Sequence, residues 1–94
     1  MDSRRTVRLF IGGRVQGVWY RGWTVETARG LGLDGWVRNR ADGRVEAVLS
    51  GPPAAVDEMI AACREGPPAA HVTGIDCEEL DAPPSPGFAQ RPSL

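Results

Sequence analysis

A strand, a glycine-rich loop and a helix are encoded in the stretch Thr6–Leu31, which reads TVRLFIGGRVQGVWYRGWTVETARGL. Apolar residues at every second position of Thr6–Ile11 predict a strand. Glycines interrupt this pattern in Gly12–Tyr20, which predicts a loop. Apolar residues then recur at steps of three over Gly22–Leu31, which predicts a helix, and Gly32 suits the left-handed position that ends one.

The chain after this unit encodes a hairpin, a second helix and a further strand. Strand-like runs at Trp36–Ala41 and Arg44–Leu49 flank Asp42-Gly43, a dipeptide typical of a tight two-residue turn. A helix is predicted over Ala54–Arg64 and a strand over His71–Leu80. The order strand, helix, strand, strand, helix, strand is that of a ferredoxin-like (βαββαβ) α+β sandwich, in which two helices cover one face of an antiparallel sheet.

One domain is expected over residues 1–94, because single domains commonly hold about 100 residues. The last part of the chain, Asp81–Leu94, is rich in proline and weakly patterned. It is expected to be a weakly ordered tail or a short edge strand anchored by Phe88.

Composition excludes several classes of protein. No apolar run approaches the length of a membrane span, and the first residues do not resemble a secretion signal. The net charge is −1, so no general affinity for nucleic acid or membranes is indicated. A cytoplasmic monomer without a metal is therefore expected. Cys63 and Cys77 are expected to be reduced thiols in the core, since no secretion signal precedes them. A zinc site is not expected, because His71 is the only histidine that accompanies the two cysteines.

The loop before the first helix is a candidate anion site. Such loops can bring backbone N–H groups together on a phosphate, and no Ser, Thr, Asp or Asn from Arg14 to Trp23 is available to cap the helix. Arg21 lies at the helix start, where a cation is disfavoured unless an anion binds beside it. Two interpretations stay open at this point: an anion site, or an ordinary turn with Arg21 on the surface.

Asn39 is the only asparagine in the chain, and it lies near the end of a predicted hairpin strand. Polar residues are common at such places, which favours a role in the hairpin alone. In the ferredoxin-like topology, however, this strand can lie close to the first loop, so Asn39 can reach the same ligand as Arg21.

Two longer stretches resemble a known family. Gly13–Arg21 (GRVQGVWYR) and Gly35–Glu46 (GWVRNRADGRVE) closely resemble the two signatures of the acylphosphatases, in the same order and at matching separation. The resemblance implies a ferredoxin-like enzyme that hydrolyses acyl phosphates to a carboxylate and inorganic phosphate without a metal or cofactor. It also implies that Arg21 binds the phosphoryl oxygens and Asn39 holds the attacking water. The residues whose backbone amides are implied to bind the phosphate are Val15, Gln16, Gly17, Val18, Trp19 and Tyr20.

The chain departs from the family after Phe88. The family usually ends in a short apolar strand, whereas Phe88–Pro92 is largely polar and ends in a proline, so a fifth edge strand is expected to be short or absent.

Two other functions are possible on the same fold. One is an anion-binding module that has lost turnover. The other is a single-stranded RNA-binding module, which needs stacked aromatic residues on the open face of the sheet. The central strands offer Phe10 for this purpose but no aromatic residue in Arg44–Leu49, and Trp36 is expected to pack inside the sandwich. A domain that works within a larger enzyme is a further alternative.

Overall fold

The computed structural model describes residues 3–94, so the first two residues of the expected 1–94 domain lie outside it. The elements are, in chain order, β1 (Arg5–Arg14), α1 (Tyr20–Gly30), β2 (Asp34–Asn39), β3 (Val45–Gly51), α2 (Pro53–Glu65), β4 (His71–Leu80) and β5 (Phe88–Gln90). They form one five-stranded sheet in the order β4-β1-β3-β2-β5. Both helices contribute buried residues to the one apolar core. The predicted ferredoxin-like α+β fold is confirmed.

The core lies between the sheet and the two helices. Val7, Leu9 and Ile11 of β1 lie opposite residues of β3 and are fully buried, as the two-residue alternation predicts. From the other side, α1 contributes Ala28 and α2 contributes Met59. The apolar spacing therefore places the helices on the predicted face.

The β1–α1 connection is shorter than the sequence predicts. β1 continues to Arg14, because Gly12 and Gly13 keep pairing with β4 across a β-bulge. Gly13 has a φ of 115°, and a side chain there would run into the backbone of His71. The helix begins at Tyr20 instead of Gly22, since the N–H of Trp23 already donates to the carbonyl of Trp19 (3.0 Å).

The β2–β3 hairpin has a three-residue loop, not the two-residue turn that the sequence predicts. The N–H of Arg40 donates to the carbonyl of Arg44 (2.9 Å), and the N–H of Gly43 donates to the carbonyl of Arg40 (3.2 Å). Gly43 has a φ of 89°, and Asp42 accepts a hydrogen bond from the N–H of Arg44. This combination of a turn followed by a left-handed glycine closes a three-residue loop.

The C-terminal segment forms a short strand beside β2. β5 pairs with β2 in parallel, so the sheet is mixed and not purely antiparallel. Phe88 packs in the core, while backbone hydrogen bonds continue beyond β5, from Arg91 to Val37 (2.8 Å) and from Leu94 to Asn39 (2.9 Å). A polar sequence can form this strand because the backbone supplies most of its contacts.

Two side chains differ from expectation. Cys77 is exposed, whereas Cys63 is buried as predicted. Trp36 does not pack in the sandwich: it lies on the open face of the sheet, with the guanidinium carbons of Arg38 and Arg91 at 4.9 and 4.4 Å from its ring. The alternation along β2 explains this, because Val37 faces the helices and its neighbours face away.

Within residues 3–94, no helix is long and apolar enough to cross a membrane.

Candidate active site

A pocket of about 210 Å³ opens where the β1–α1 loop meets β2 and β5. Arg21 and Asn39, which are 18 positions apart in the sequence, both line it. The full set of lining residues is Val15, Gly17, Trp19, Tyr20, Arg21, Gly22, Asn39 and Gln90. The fold thus brings together Arg21, Asn39 and most of the loop that the sequence singles out.

The start of α1 offers free hydrogen-bond donors to this pocket. Trp19 occupies the N-cap position without a side-chain cap, and no acidic residue lies in the first turn. From Gln16 to Gly22, no backbone N–H donates to a backbone or side-chain oxygen of the described chain. Seven consecutive amides therefore lack a partner within residues 3–94, as the absence of capping residues predicts, and those of the pocket-lining residues are available to an anion.

The loop backbone is held in an unusual shape. Trp19 has a φ of 65° and a ψ of 24°, and it is the only non-glycine residue in the part described, residues 3–94, with a positive φ. Such a conformation costs roughly 1–2 kcal/mol for a residue with a side chain. Gly17 also has a positive φ (73°), and loops with left-handed residues of this kind commonly form concave sites that bind anions. Sequence patterns did not indicate this strain, because tryptophan rarely adopts it.

Arg21 supplies the positive charge of the pocket. It is half-buried, and no carboxylate among residues 3–94 lies within ion-pair distance of it. By contrast, Arg40 and Arg44 on the nearby hairpin both pair with Asp42. No acidic residue lines the pocket, so Arg21 and the helix N-terminus favour a bound anion.

Asn39 brings a buried acceptor without a partner. Its Oδ1 is buried and accepts no hydrogen bond from any residue in the range 3–94. Leaving such an atom unsatisfied costs about 1–3 kcal/mol, so a water or a ligand group is expected against it. Asn39 follows Val37 on the face of β2 that the helices cover, which explains how it reaches the pocket.

Two of the residues that the sequence singles out, Gln16 and Val18, do not line the pocket. The amide nitrogen of Gln16 donates to the carbonyls of Arg40 (2.8 Å) and Arg44 (3.0 Å), and Val18 packs against the core. The resemblance implies a role for the backbone amides of Gln16 and Val18 and not for their side chains. These two amides donate to no other group within residues 3–94. Gln16 therefore braces the loop against the hairpin that carries Asn39.

Tyr20 lines the pocket, but its hydroxyl group points into the protein. The hydroxyl donates to the carbonyl of Cys63 (2.6 Å), which ties the start of α1 to α2. Burial raises the pKa of the Tyr20 phenol far above its usual value, so this group stays neutral. Burial likewise raises the pKa of the Cys63 thiol to about 12. Neither group is placed to take a proton in the pocket.

Gln90 is a pocket residue that the sequence analysis did not identify. It follows Phe88 by two positions, and this spacing puts both residues on the same face of β5. The signal in the sequence was a polar residue two positions after Phe88, on the face of the strand that Phe88 buries. Only the pairing of β5 with β2 shows that this face leads to the pocket.

Comparisons with known proteins identify the family of this chain. The family model described as Acylphosphatase matches residues 7–90. The acylphosphatase of Rhodospirillum rubrum is 62% identical over 90 residues, which cover 96% of this chain and 99% of that protein.

Two solved structures show the same fold. The structure of an acylphosphatase from Coxiella burnetii superimposes with a TM-score of 0.90 at 32% identity and covers 94% of this chain and 93% of that one. The crystal structure of acylphosphatase from Bacillus subtilis gives 0.88 at 35% identity, covering 93% and 98%. With its fold, its uncapped loop and its matching signatures, this chain belongs to the acylphosphatase family.

Proposed function

We propose that this chain hydrolyses acyl phosphates to a carboxylate and inorganic phosphate by direct attack of water on phosphorus. The observation that carries the proposal is the pocket in which Arg21, a run of free backbone amides and the unpartnered Oδ1 of Asn39 face one another. Each of these groups matches a need of the reaction.

The phosphoryl group binds to the loop in this proposal. Its oxygens accept hydrogen bonds from the amides of Val15, Gln16, Gly17, Val18, Trp19 and Tyr20 and from the guanidinium group of Arg21. These donors are in place before the reaction, so they stabilise charge on the phosphoryl oxygens without rearrangement. The strained Trp19 backbone contributes by holding the amides in their concave arrangement.

Asn39 positions the nucleophile. Its Oδ1 accepts a hydrogen bond from a water molecule and directs the water oxygen toward phosphorus, opposite the acyl oxygen. The amide does not titrate near neutral pH, so Asn39 orients the water but does not take its proton. A phosphoryl oxygen of the substrate takes that proton as the phosphorus–oxygen bond to the acyl group breaks.

The leaving group needs no help from an acid. A carboxylic acid has a pKa of roughly 4, so the carboxylate leaves without protonation. Positioning and charge stabilisation account for most of the remaining barrier in phosphoryl transfer. A loop, one arginine and one asparagine are thus sufficient for the chemistry, and the proposal includes no metal or cofactor.

The proposal extends to the domain organisation, oligomeric state, location and partners of the enzyme. We infer one functional domain over residues 1–94 that acts as a monomer in the cytoplasm on a small-molecule substrate, without a nucleic-acid or membrane partner. The open sheet face supports the exclusion of RNA, because Phe10 lies beneath Arg40 and Arg44 and Trp36 lies beneath Arg38 and Arg91. The arginines cover the ring faces on which bases would stack.

The test is hydrolysis of benzoyl phosphate with a chelator present. The parent and Arg64→Ala, a control on the exposed side of α2, are expected to turn over the substrate at similar rates. Arg21→Ala is expected to lose about 100- to 1,000-fold in rate. If the folded parent hydrolyses neither benzoyl nor acetyl phosphate, the proposal is wrong and a silent anion-binding module is the better reading.

A further inference from the structure

Trp19 is the exposed apolar side chain of the pocket. Trp19 and Leu94 are the exposed large apolar residues of the described range 3–94, each at 60%, and Trp19 is the one that lines the pocket. The mechanism uses the backbone amide of Trp19 but assigns no role to its indole ring. An aromatic ring with most of its surface in water gains free energy when an apolar group covers it.

The indole ring lies against the first turn of α1, at the edge of the pocket. A Cβ atom built on Gly22 would collide with Nε1, Cδ1 and Cε2 of Trp19, so the ring occupies the space that a side chain at position 22 would need. Gly22 is itself a pocket-lining residue. The glycine therefore lets the ring lie beside the opening of the pocket.

The backbone of Trp19 is a second, independent indication that this side chain has a function. At a φ of 65° a tryptophan is strained, whereas glycine adopts this conformation freely. A glycine at position 19 would supply the same backbone amide without the strain. Strained residues of this kind cluster at functional sites, and here the strain is retained together with an indole ring.

The mechanism determines on which side of the pocket the acyl group lies. In an in-line displacement, the attacking water and the acyl oxygen are on opposite sides of the phosphorus atom. Asn39, which holds the water, and Gln90 line the pocket from β2 and β5. The acyl group therefore extends away from these two residues, toward the side formed by the β1–α1 loop and the first turn of α1.

On that side, Trp19 supplies the side chain that can contact the acyl group. Val15 and Tyr20 are each 1% exposed, so their side chains belong to the core. Arg21 is committed to the phosphoryl oxygens, and the remaining lining residues of this side are glycines. The exposed indole ring of Trp19 is left at the place where an acyl group extends from the pocket into solvent.

We propose that the indole ring of Trp19 is the contact surface for the acyl group and that it selects acyl phosphates with a flat, apolar acyl group, such as an aroyl group, over those with a small one. An aromatic acyl group packs against the ring and removes apolar surface of both groups from water. This inference rests on the proposed acyl phosphate hydrolysis and names the substrate class for the same pocket.

Benzoyl phosphate and acetyl phosphate are the probes, because they share the phosphoryl group and differ in the apolar surface of the acyl group. The measurement is kcat/KM for both substrates with the parent, Trp19→Ala, Trp19→Gly and Trp19→Phe. Comparing the benzoyl-to-acetyl ratio of each variant with that of the parent cancels the intrinsic reactivities of the substrates and any change in phosphate binding. Trp36→Ala is the matched control, since it removes an indole ring that lies on the open sheet face and does not line this pocket.

Trp19→Ala and Trp19→Gly are both expected to lower the benzoyl-to-acetyl ratio by about 3- to 10-fold. Trp19→Phe keeps a flat ring, so its ratio is expected to stay closer to that of the parent, and Trp36→Ala leaves the ratio unchanged. Agreement between alanine and glycine at position 19 separates the loss of the ring from relief of the backbone strain, because only glycine relieves the strain.

Three outcomes would overturn the selectivity and leave the hydrolysis itself standing. The first is an unchanged ratio in Trp19→Ala and Trp19→Gly. The second is a fall confined to one of these two variants, which would trace the effect to the backbone. The third is a ratio in Trp19→Phe as low as that in Trp19→Ala. A folded parent that hydrolyses neither substrate would instead refute the proposed function, and the selectivity with it.

Discussion

Gln16 donates its side-chain amide to the carbonyl of Arg40 at 2.8 Å, and this contact joins the β1–α1 loop to the β2–β3 hairpin. A second hydrogen bond from the same nitrogen reaches the carbonyl of Arg44 at 3.0 Å. Asn39 directly precedes Arg40, so the two bonds set the spacing between the loop amides and the residue proposed to hold water. A residue whose side chain avoids the pocket thus controls the pocket's geometry.

Replacing Gln16 with leucine is expected to weaken both stability and catalysis. The variant removes two hydrogen bonds while both carbonyls keep their backbone donors, so the free energy of unfolding is expected to fall by about 1–3 kcal/mol, the net contribution of two such bonds. The loop and Asn39 also lose their brace, so kcat/KM for acyl phosphates is expected to fall more than tenfold, a drop of about 1.4 kcal/mol in transition-state stabilisation or more. Urea denaturation and steady-state kinetics measure the two effects. A variant that loses stability but keeps full activity would show that the brace does not position the site.

Replacing Asn39 with alanine is expected to separate catalysis from stability. The kcat for acyl phosphates is expected to fall by about 100- to 1,000-fold, because the attacking water loses the group that orients it. Stability is expected to hold or rise, since the change removes a buried oxygen that has no partner within residues 3–94. Inorganic phosphate is expected to inhibit the variant as it inhibits the parent, whereas Arg21→Ala weakens that inhibition. A kcat within twofold of the parent would contradict the role of Asn39.

Local sequence predicts the parts of the site that depend on local structure. The strand-loop-helix order of Thr6–Leu31, the uncapped helix and Arg21 at its start all follow from periodicity and from absent capping residues. The position of Gln90 does not, because it depends on a three-residue parallel strand paired with a segment more than 50 positions earlier. The exposure of Trp36 likewise depends on which face of β2 the helices cover. The left-handed backbone of Trp19 goes against the preference of its own residue type, so only the surrounding structure reveals it.

The left-handed conformation of Trp19 makes a prediction about the order of two variants. Trp19→Gly and Trp19→Ala remove the same indole, but alanine at a φ of 65° is strained and glycine is not. Trp19→Gly is therefore expected to be more stable than Trp19→Ala by about 1 kcal/mol in thermal or urea unfolding.

Trp23, inside α1, provides the matched control. At this helical position alanine is expected to be more stable than glycine by about 0.5–1 kcal/mol, the reverse of the order at Trp19. The same order at both sites would mean that Trp19 does not adopt the left-handed conformation in solution.

Acid is expected to loosen β5 through Asp34. The N–H of Gly87 donates to Asp34 (2.8 Å) and Arg4 pairs with it (2.7 Å), and these contacts hold the pKa of the Asp34 carboxyl below its usual range. A carboxyl whose pKa is lower in the folded state stabilises the protein above the unfolded pKa of about 4, and this contribution is lost as the pH falls through the folded value. The parent Tm is therefore expected to decrease below about pH 4.

The variant Asp34→Asn tests this, because its side chain does not titrate. Its Tm is expected to be lower than that of the parent at pH 7 and to converge on the parent value as the pH falls. The control variant Glu58→Gln is expected to show the same dependence of Tm on pH as the parent. Gly87 directly precedes Phe88 at the start of β5, so its contact with Asp34 anchors this strand. If the difference in Tm between the parent and Asp34→Asn stays constant across the acid range, Asp34 does not hold the strand through its charge.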